Sequence, residues 1–318
     1  MSREPRASQP ASSPFHRRER ELQERQRVRQ RLEEQGRRVI RDYLPDQHRE
    51  FFAQLPFVLL GTTDTAGRPW ASLLVGLPGF ISSADPCRLR LNARPIYGDP
   101  LNENLVPDSD VGLLGIEFHS RRRNRLAGKV VTAGNGAVEI RVVQSFGNCP
   151  QYIQARDCDL SPALSSVGEE RQVERLSELG EAERAIITQA DNFYIASQFS
   201  EDQAQVSNGI DVSHRGDKPG FVRINDNHTL TWPDFVGNFH FNTLGNILLN
   251  PHVGLLFIDF NSQDLLYLTR QRGNHLGRRR IARFHRGAPP PAVFAAGRYT
   301  RCRRLTPAVA FPGVFAQP

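Results

Sequence analysis

Two stretches of this sequence carry the residue types that hold an anion or the polar edge of a ring. The first, Val212-Ser213-His214-Arg215-Gly216-Asp217-Lys218-Pro219-Gly220-Phe221-Val222, offers a hydroxyl, an imidazole and a guanidinium in succession on a glycine-punctuated turn. Such donors, with backbone N–H groups that glycine leaves accessible, suit a phosphate. The same composition also makes an ordinary solvated hairpin turn. The second stretch, Trp232 to Asn246, reads WPDFVGNFHFNTLGN and runs into a short apolar helix stopped at Pro251. Asn242 or Thr243 is the expected N-cap. With no acid nearby, the unpaired N–H groups and positive dipole of that helix start favour a bound phosphate. The corresponding earlier segment begins at Asp99-Pro100 and contains Glu103, so a carboxylate of its own takes the positive end. A phosphate is therefore expected at the second helix.

Other chemistry-bearing residues admit two readings. Arg121, Arg122, Arg123 and Arg125 could grip a phosphate through paired charge-assisted bonds, or lie solvated in a hairpin loop. Cys149 suits a thiol beside a ligand or a small core residue. Trp232 could cover a ring, although a barrel tryptophan normally packs the core. His119 and His240 have no second ligand at metal spacing, so no metal site is expected. There is no G-x-G-x-x-G opening a helix after a strand, no Walker loop, no H-E-x-x-H and no G-x-S-x-G. No catalytic acid, base or nucleophile is nominated.

The elements that must position these residues show up as short β-like runs. FVLLGTT, ASLLVGLPGFI, RLRL, VGLLGIEF and AVEIRVV are separated by turn signals, and NFYIAS, GFVRI, TLTW, VGLLFIDF and LLYLT follow later. Val111–Phe118 and Val253–Phe260 agree at six of eight positions, 142 residues apart, which implies an internal duplication. Two copies of one β-barrel unit are expected, with flanking helices, in a mainly β (α+β) chain. The charged segment from Arg17 to Arg41 has the spacing of one helix with a narrow apolar stripe. The expected division is a disordered leader and N-terminal helix over 1–45, a first barrel over 46–160, a helical linker over 161–190, a second barrel over 191–270 and a basic tail over 271–318.

At 318 residues the chain has the length of two ordinary domains. Its net charge of +7 is localised: from Leu265 onward there are 11 arginines and no Asp, Glu or Lys, so the preceding 264 residues carry −4. A basic tail without a reading motif is weak evidence for nucleic acid, which is not expected as a partner. The tail's composition departs so far from the rest that the second barrel is expected to lack its closing strand. The four cysteines form no C-x-x-C pair, and no apolar run reaches spanning length. A cytoplasmic location with no membrane partner follows as the expectation.

SHRGDKPGFVRI, followed by LTWPDFVGNFHFNTLGN and PHVGLLFIDF, resembles the FMN-binding split barrel of the pyridoxamine 5′-phosphate oxidase-like group. LNARPIYGDPLNENL, GIEFHSRRRNRLAGKV and SFGNCPQYI are similar to the companion barrel of its two-barrel bacterial members. The resemblance covers roughly residues 12 to 269 and implies two tandem split barrels, a homodimer, and FMN-dependent oxidoreduction of a small organic substrate. It places Ser213, His214 and Arg215 near the flavin or its phosphate, with Phe221 framing the pocket. Asn238, Asn242, Thr243, Gly245 and Asn246 would line the phosphate and ribityl side. Non-enzymatic handling of flavin or haem is the alternative, since split barrels bind haem in some relatives.

Overall fold

The computed structural model describes residues 13–157, 170, 172–200, 207–269, 291–295 and 298–303. Three helices come first: α1 (Arg17–Arg25), α2 (Arg29–Val39) and α3 (Asp46–Ala53). The single long helix expected over Arg17–Arg41 is broken at Arg27, whose φ of +59° ends α1 with a left-handed residue. There the Val28 N–H returns to the Gln23 carbonyl at 3.0 Å, a cap more often built with glycine.

The remainder is mainly β. Strands β1 (Phe57–Thr63), β2 (Pro69–Val75), β3 (Ile81–Ser82), β4 (Arg88–Leu91), β5 (Asp110–Glu117), β6 (Arg122–Gly134) and β7 (Ala137–Asn148) form a seven-stranded antiparallel sheet ordered β2-β1-β5-β6-β7-β4-β3. The short helix α4 (Leu101–Asn104) precedes β5. Strands β8 (Gln172–Leu176), β9 (Asn192–Phe199), β10 (Gly209–Gly216), β13 (Val253–Ile258), β14 (Leu265–Thr269) and β16 (Arg298–Arg303) form a second sheet, ordered β10-β9-β13-β14-β16-β8. Strands β11 (Arg223–Asp226), β12 (Thr229–Pro233) and β15 (Pro291–Ala295) make a third. Helix α5 (Glu181–Gln189) precedes β9, and α6 (Asn242–Leu249) precedes β13. None of the three sheets closes on itself.

Two expectations are corrected. In the expected helical linker, the described residues include strand β8 at 172–176 as well as a helix at 181–189. Nor does the second unit lack outer strands, because the backbone of 298–303 pairs with both β14 and β8, and that of 291–295 pairs with β12. An arginine-rich stretch can still donate and accept a full ladder, since pairing uses main-chain groups. The leader up to residue 12 and the rest of the tail lie outside the described residues.

The duplication is visible in strand register. In the first sheet one row across the strands runs Leu73–Leu59–Leu114–Arg125. In the second the matching row is His214–Tyr194–Leu256–Tyr267. The neighbouring rows, Ser72–Leu60–Leu113–Leu126 and Ser213–Ile195–Leu255–Leu268, match as well. The two sheets pack reciprocally around a shared core that includes Leu59, Leu114, Tyr194, Leu256 and Tyr267. Glycine permits the close approach at equivalent points: a Cβ on Gly112 would lie 2.4 Å from the Ile210 carbonyl oxygen, and one on Gly254 would lie 2.3 Å from that of Pro69. Each half also has its own core, one under α3 with Phe51 and Phe52, the other with Phe193, Trp232 and Phe257.

Candidate functional site

The reciprocal packing makes two related junctions between the sheets, and one of them opens into a cavity of about 850 Å³. Its walls come from four places: the end of α1 (Leu22, Arg25, Arg27), strand β6 (Arg123, Arg125), strand β10 (Ser213, His214, Arg215) and the segment from Asp234 to Leu244. Asn148 at the end of β7, with Cys149 and Tyr152 just beyond it, completes the rim. The two stretches singled out in the sequence thus meet. The Thr243 hydroxyl donates to Ser213 Oγ at 3.0 Å, and Arg125 donates at 2.9 Å to both Asn242 Oδ1 and Ser213 Oγ.

Arg125 is the pin of this junction. Its guanidinium also donates to the Val212 carbonyl at 2.9 Å, approaches Asp211 at 3.2 Å and stacks over Phe146 at 5.6 Å. Arg123 lies half-buried two residues earlier, its Nε donating to the Cys149 carbonyl at 2.6 Å. Of the hairpin arginines, Arg121 and Arg122 remain exposed, whereas Arg123 and Arg125 turn inward. The sequence left that choice open. Strand alternation decides it, because Arg123 and Arg125 share one face of β6.

Arg215 sits over the Asp234 carboxylate at 3.9 Å and donates to its own neighbour's carbonyl, that of His214, at 3.1 Å. Burial lowers the Arg215 pKa against the pull of Asp234, and burial raises that of Asp234 against the pull of Arg215. Burial pushes the Arg123 guanidinium down to about 10, with Arg125 and Arg215 adding repulsion. His214 is 4% exposed, and neither ring nitrogen has a hydrogen-bond partner among the described residues. Burial, then Arg123, Arg215 and Arg156, hold its pKa well below the usual histidine range. The ring is therefore neutral, with one N–H to give and one lone pair to receive.

The segment before α6 is strained. Phe239 and Phe241 both have left-handed backbones, with φ of +59° and +63°, a conformation that costs a bulky residue on the order of 1–3 kcal/mol. The intervening His240 is buried between Phe15 and Phe146, which holds the turn in place. Phe241, not Asn242 or Thr243, occupies the cap position, and no side chain caps α6. Nothing in the residue types signalled this arrangement.

The helix start is not free of acids, which corrects the sequence expectation. Glu19 of α1 is buried against it, accepting from Asn242 Nδ2 at 2.7 Å and from the His16 backbone N–H at 2.7 Å. Burial, reinforced by Asp211, raises its pKa to about 8, and burial lowers that of His16 to about 4. At neutral pH both are uncharged, so their 3.6 Å contact is not an ion pair. A partner so distant in sequence carries no local signal.

Three proposed site residues lie elsewhere. Asn246 is consumed by His16, Ser197 and Asp211 behind α6. Gly245 is where α1 crosses, because a Cβ there would lie 2.7 Å from Glu19 Cγ. Phe221 stacks on Phe193 at 5.8 Å and packs on the second core. Asn238 is at the rim, bonded to Asn148 at 3.0 Å. Trp232 is in the core, edge-on to Phe193.

No family model and no curated protein matches the chain. Among solved structures it is similar to the Bacillus subtilis inhibitor of motility (MotI/DgrA), at 10% identity and a TM-score of 0.20, over 80% of this chain and 89% of that one. A likeness at that score carries no argument about fold or activity.

Proposed function

We propose that the two halves are tandem split barrels and that the cavity between them binds FMN, making the chain a flavoprotein that oxidises or reduces a small organic substrate. The observation that carries this reading is the convergence of Ser213, Asn242 and Thr243 with Arg125 on one cavity that also contains the unpartnered His214. A volume of about 850 Å³ lies within the roughly 300–1,000 Å³ of small-ligand sites.

The donor set fits the group. Ser213, Thr243 and the uncapped first turn of α6 suit a phosphate, and Phe235, Phe239 and Phe241 offer apolar surface for a ring. A bound flavin supplies hydride or electron transfer, while the protein supplies binding and orientation. His214, neutral and buried, would face the ring's polar edge. The resemblance also implies a homodimer, although one chain already walls the cavity on four sides.

The test is the visible spectrum of the purified protein and of the supernatant after denaturation. Two near-visible flavin bands, released as FMN, are expected. A Soret band would replace this reading with haem handling. A colourless protein that takes up no FMN on titration would overturn it.

A further inference from the structure

The arginines around the cavity differ in what they already hold. Arg125 is saturated by Asp211, Asn242, Ser213 and the Val212 carbonyl. Arg156, whose charge also reaches His214, is bonded to Asp191 and lies 4.4 Å over the Phe260 ring. Arg123 and Arg215 are not matched in this way. The one side-chain bond of Arg123 runs from Nε to a carbonyl, leaving both terminal amino groups without a protein acceptor among the described residues. Arg215 donates one bond to the His214 carbonyl at 3.1 Å and faces the Asp234 carboxylate at 3.9 Å, beyond hydrogen-bond reach. In the same cavity, the buried imidazole of His214 has two ring nitrogens without a partner among the described residues.

Like charges brought together in a partly buried place repel, and the lowered pKa values of Arg123 and Arg215 record that cost along with burial. A fold tolerates such a cluster when a ligand of opposite charge completes it. The phosphate proposed for FMN goes to the Ser213–Thr243 corner and the start of α6, which leaves this second cluster offset only in part, by Asp234 at 3.9 Å from Arg215.

We propose that Arg123 and Arg215, with His214 on the same cavity wall, form a second anion subsite in the cavity, so that the substrate is a small molecule bearing a carboxylate or phosphate. Naming this molecule the substrate rests on the flavin reading; the anion subsite does not. The planar forks of the two guanidiniums suit an oxyanion with two or more oxygens, and the neutral His214 adds one donor without adding charge.

The experiment titrates succinate and, separately, inorganic phosphate into the purified full-length protein by calorimetry, with the flavin spectrum recorded wherever flavin is present. Wild type should bind at least one probe saturably, and which one it prefers identifies the anionic group. R123Q should weaken that binding at least tenfold with FMN content within twofold of wild type, R123K should recover part of it, and R215Q should weaken probe binding as well. Two variants guard against one failing to fold, which circular dichroism will show. Probe binding that persists in both folded Gln variants, or no binding of either probe to wild type, overturns the proposal. Should the protein take up no FMN yet bind a probe in an Arg123-dependent way, the flavin reading falls and the anion subsite stands.

Discussion

The two junctions between the sheets are equivalent in strand register and differ in side-chain chemistry. At one, Arg125 reaches across from the first sheet to Ser213 and the start of α6, and a cavity opens beside it. At the other, the register-equivalent Tyr267 reaches from the second sheet to Asp99, at the start of α4, at 2.6 Å. Asp99 itself accepts the Leu101 N–H at 2.8 Å, so a carboxylate occupies that helix start. Leu73 stands where the other junction has His214. Tyr267, Asp99 and Leu73 are all buried, and the closed junction is filled by its own side chains. A few substitutions at register-equivalent positions thus separate a packed interface from a polar cavity. The strand frame supplies two possible sites, and side-chain chemistry opens one.

The largest effect is expected from Arg125→Ala. It would leave Asp211 without its ion-pair partner and strip donors from Asn242, Ser213 and the Val212 carbonyl. Breaking a fully buried charge pair costs about 3–5 kcal/mol; Asp211 is 23% exposed, so urea unfolding should show a loss at the lower end of that range together with loss of ligand uptake. An unchanged midpoint would mean that Arg125 is not the pin.

Next comes the pH response of the N-terminal arm. Glu19 has a folded pKa near 8, above the ordinary 4.5, so its contribution is full below about 4.5 and is lost as pH rises through 8. At about 1.4 kcal/mol per unit the loss between pH 6.5 and 8 is about 2 kcal/mol. His16, depressed to about 4, acts in the opposite sense and destabilises as pH falls from 6.5 toward 4. Stability measured from pH 6.5 to 9 should fall in wild type and stay nearly flat in Glu19→Gln. A parallel fall in both would remove Glu19 as the cause.

The smallest change is expected at the closed junction. Tyr267→Phe deletes one buried hydrogen bond to Asp99, worth about 1–3 kcal/mol, and leaves ligand uptake as it was. It also removes the bond that restrains the Asp99 pKa, which burial already raises to about 6. The Asp99 carboxyl should therefore titrate higher still, which carbon-13 NMR can follow. Impaired ligand uptake in this variant would break the contrast between the junctions.

The repeat was legible because two octets that agree at six of eight positions leave a signature at a fixed offset. That Ser213 meets Asn242 and Thr243 was legible too, since those stretches carry the polar and glycine residues that interrupt a β pattern. Three things were not. The inward turn of Arg123 and Arg125 depends on which face of β6 is covered, and the composition of the hairpin does not set that. The placement of Glu19 depends on docking a helix more than 220 residues away in sequence. Gly245 and Asn246 looked like ligand contacts because small and amide residues near a helix start serve both purposes; here they seat α1 and bind Ser197. The tail misled for a related reason: its arginines describe side chains, whereas the strands at 291–295 and 298–303 are specified by main-chain pairing.

The most direct measurement is an equilibrium titration of ligand-free protein with FMN, followed by quenching of flavin fluorescence. The asymmetry between the junctions predicts saturation at one FMN per chain, with Tyr267→Phe indistinguishable from wild type. Saturation at two per chain, or no quenching at any concentration, would contradict it.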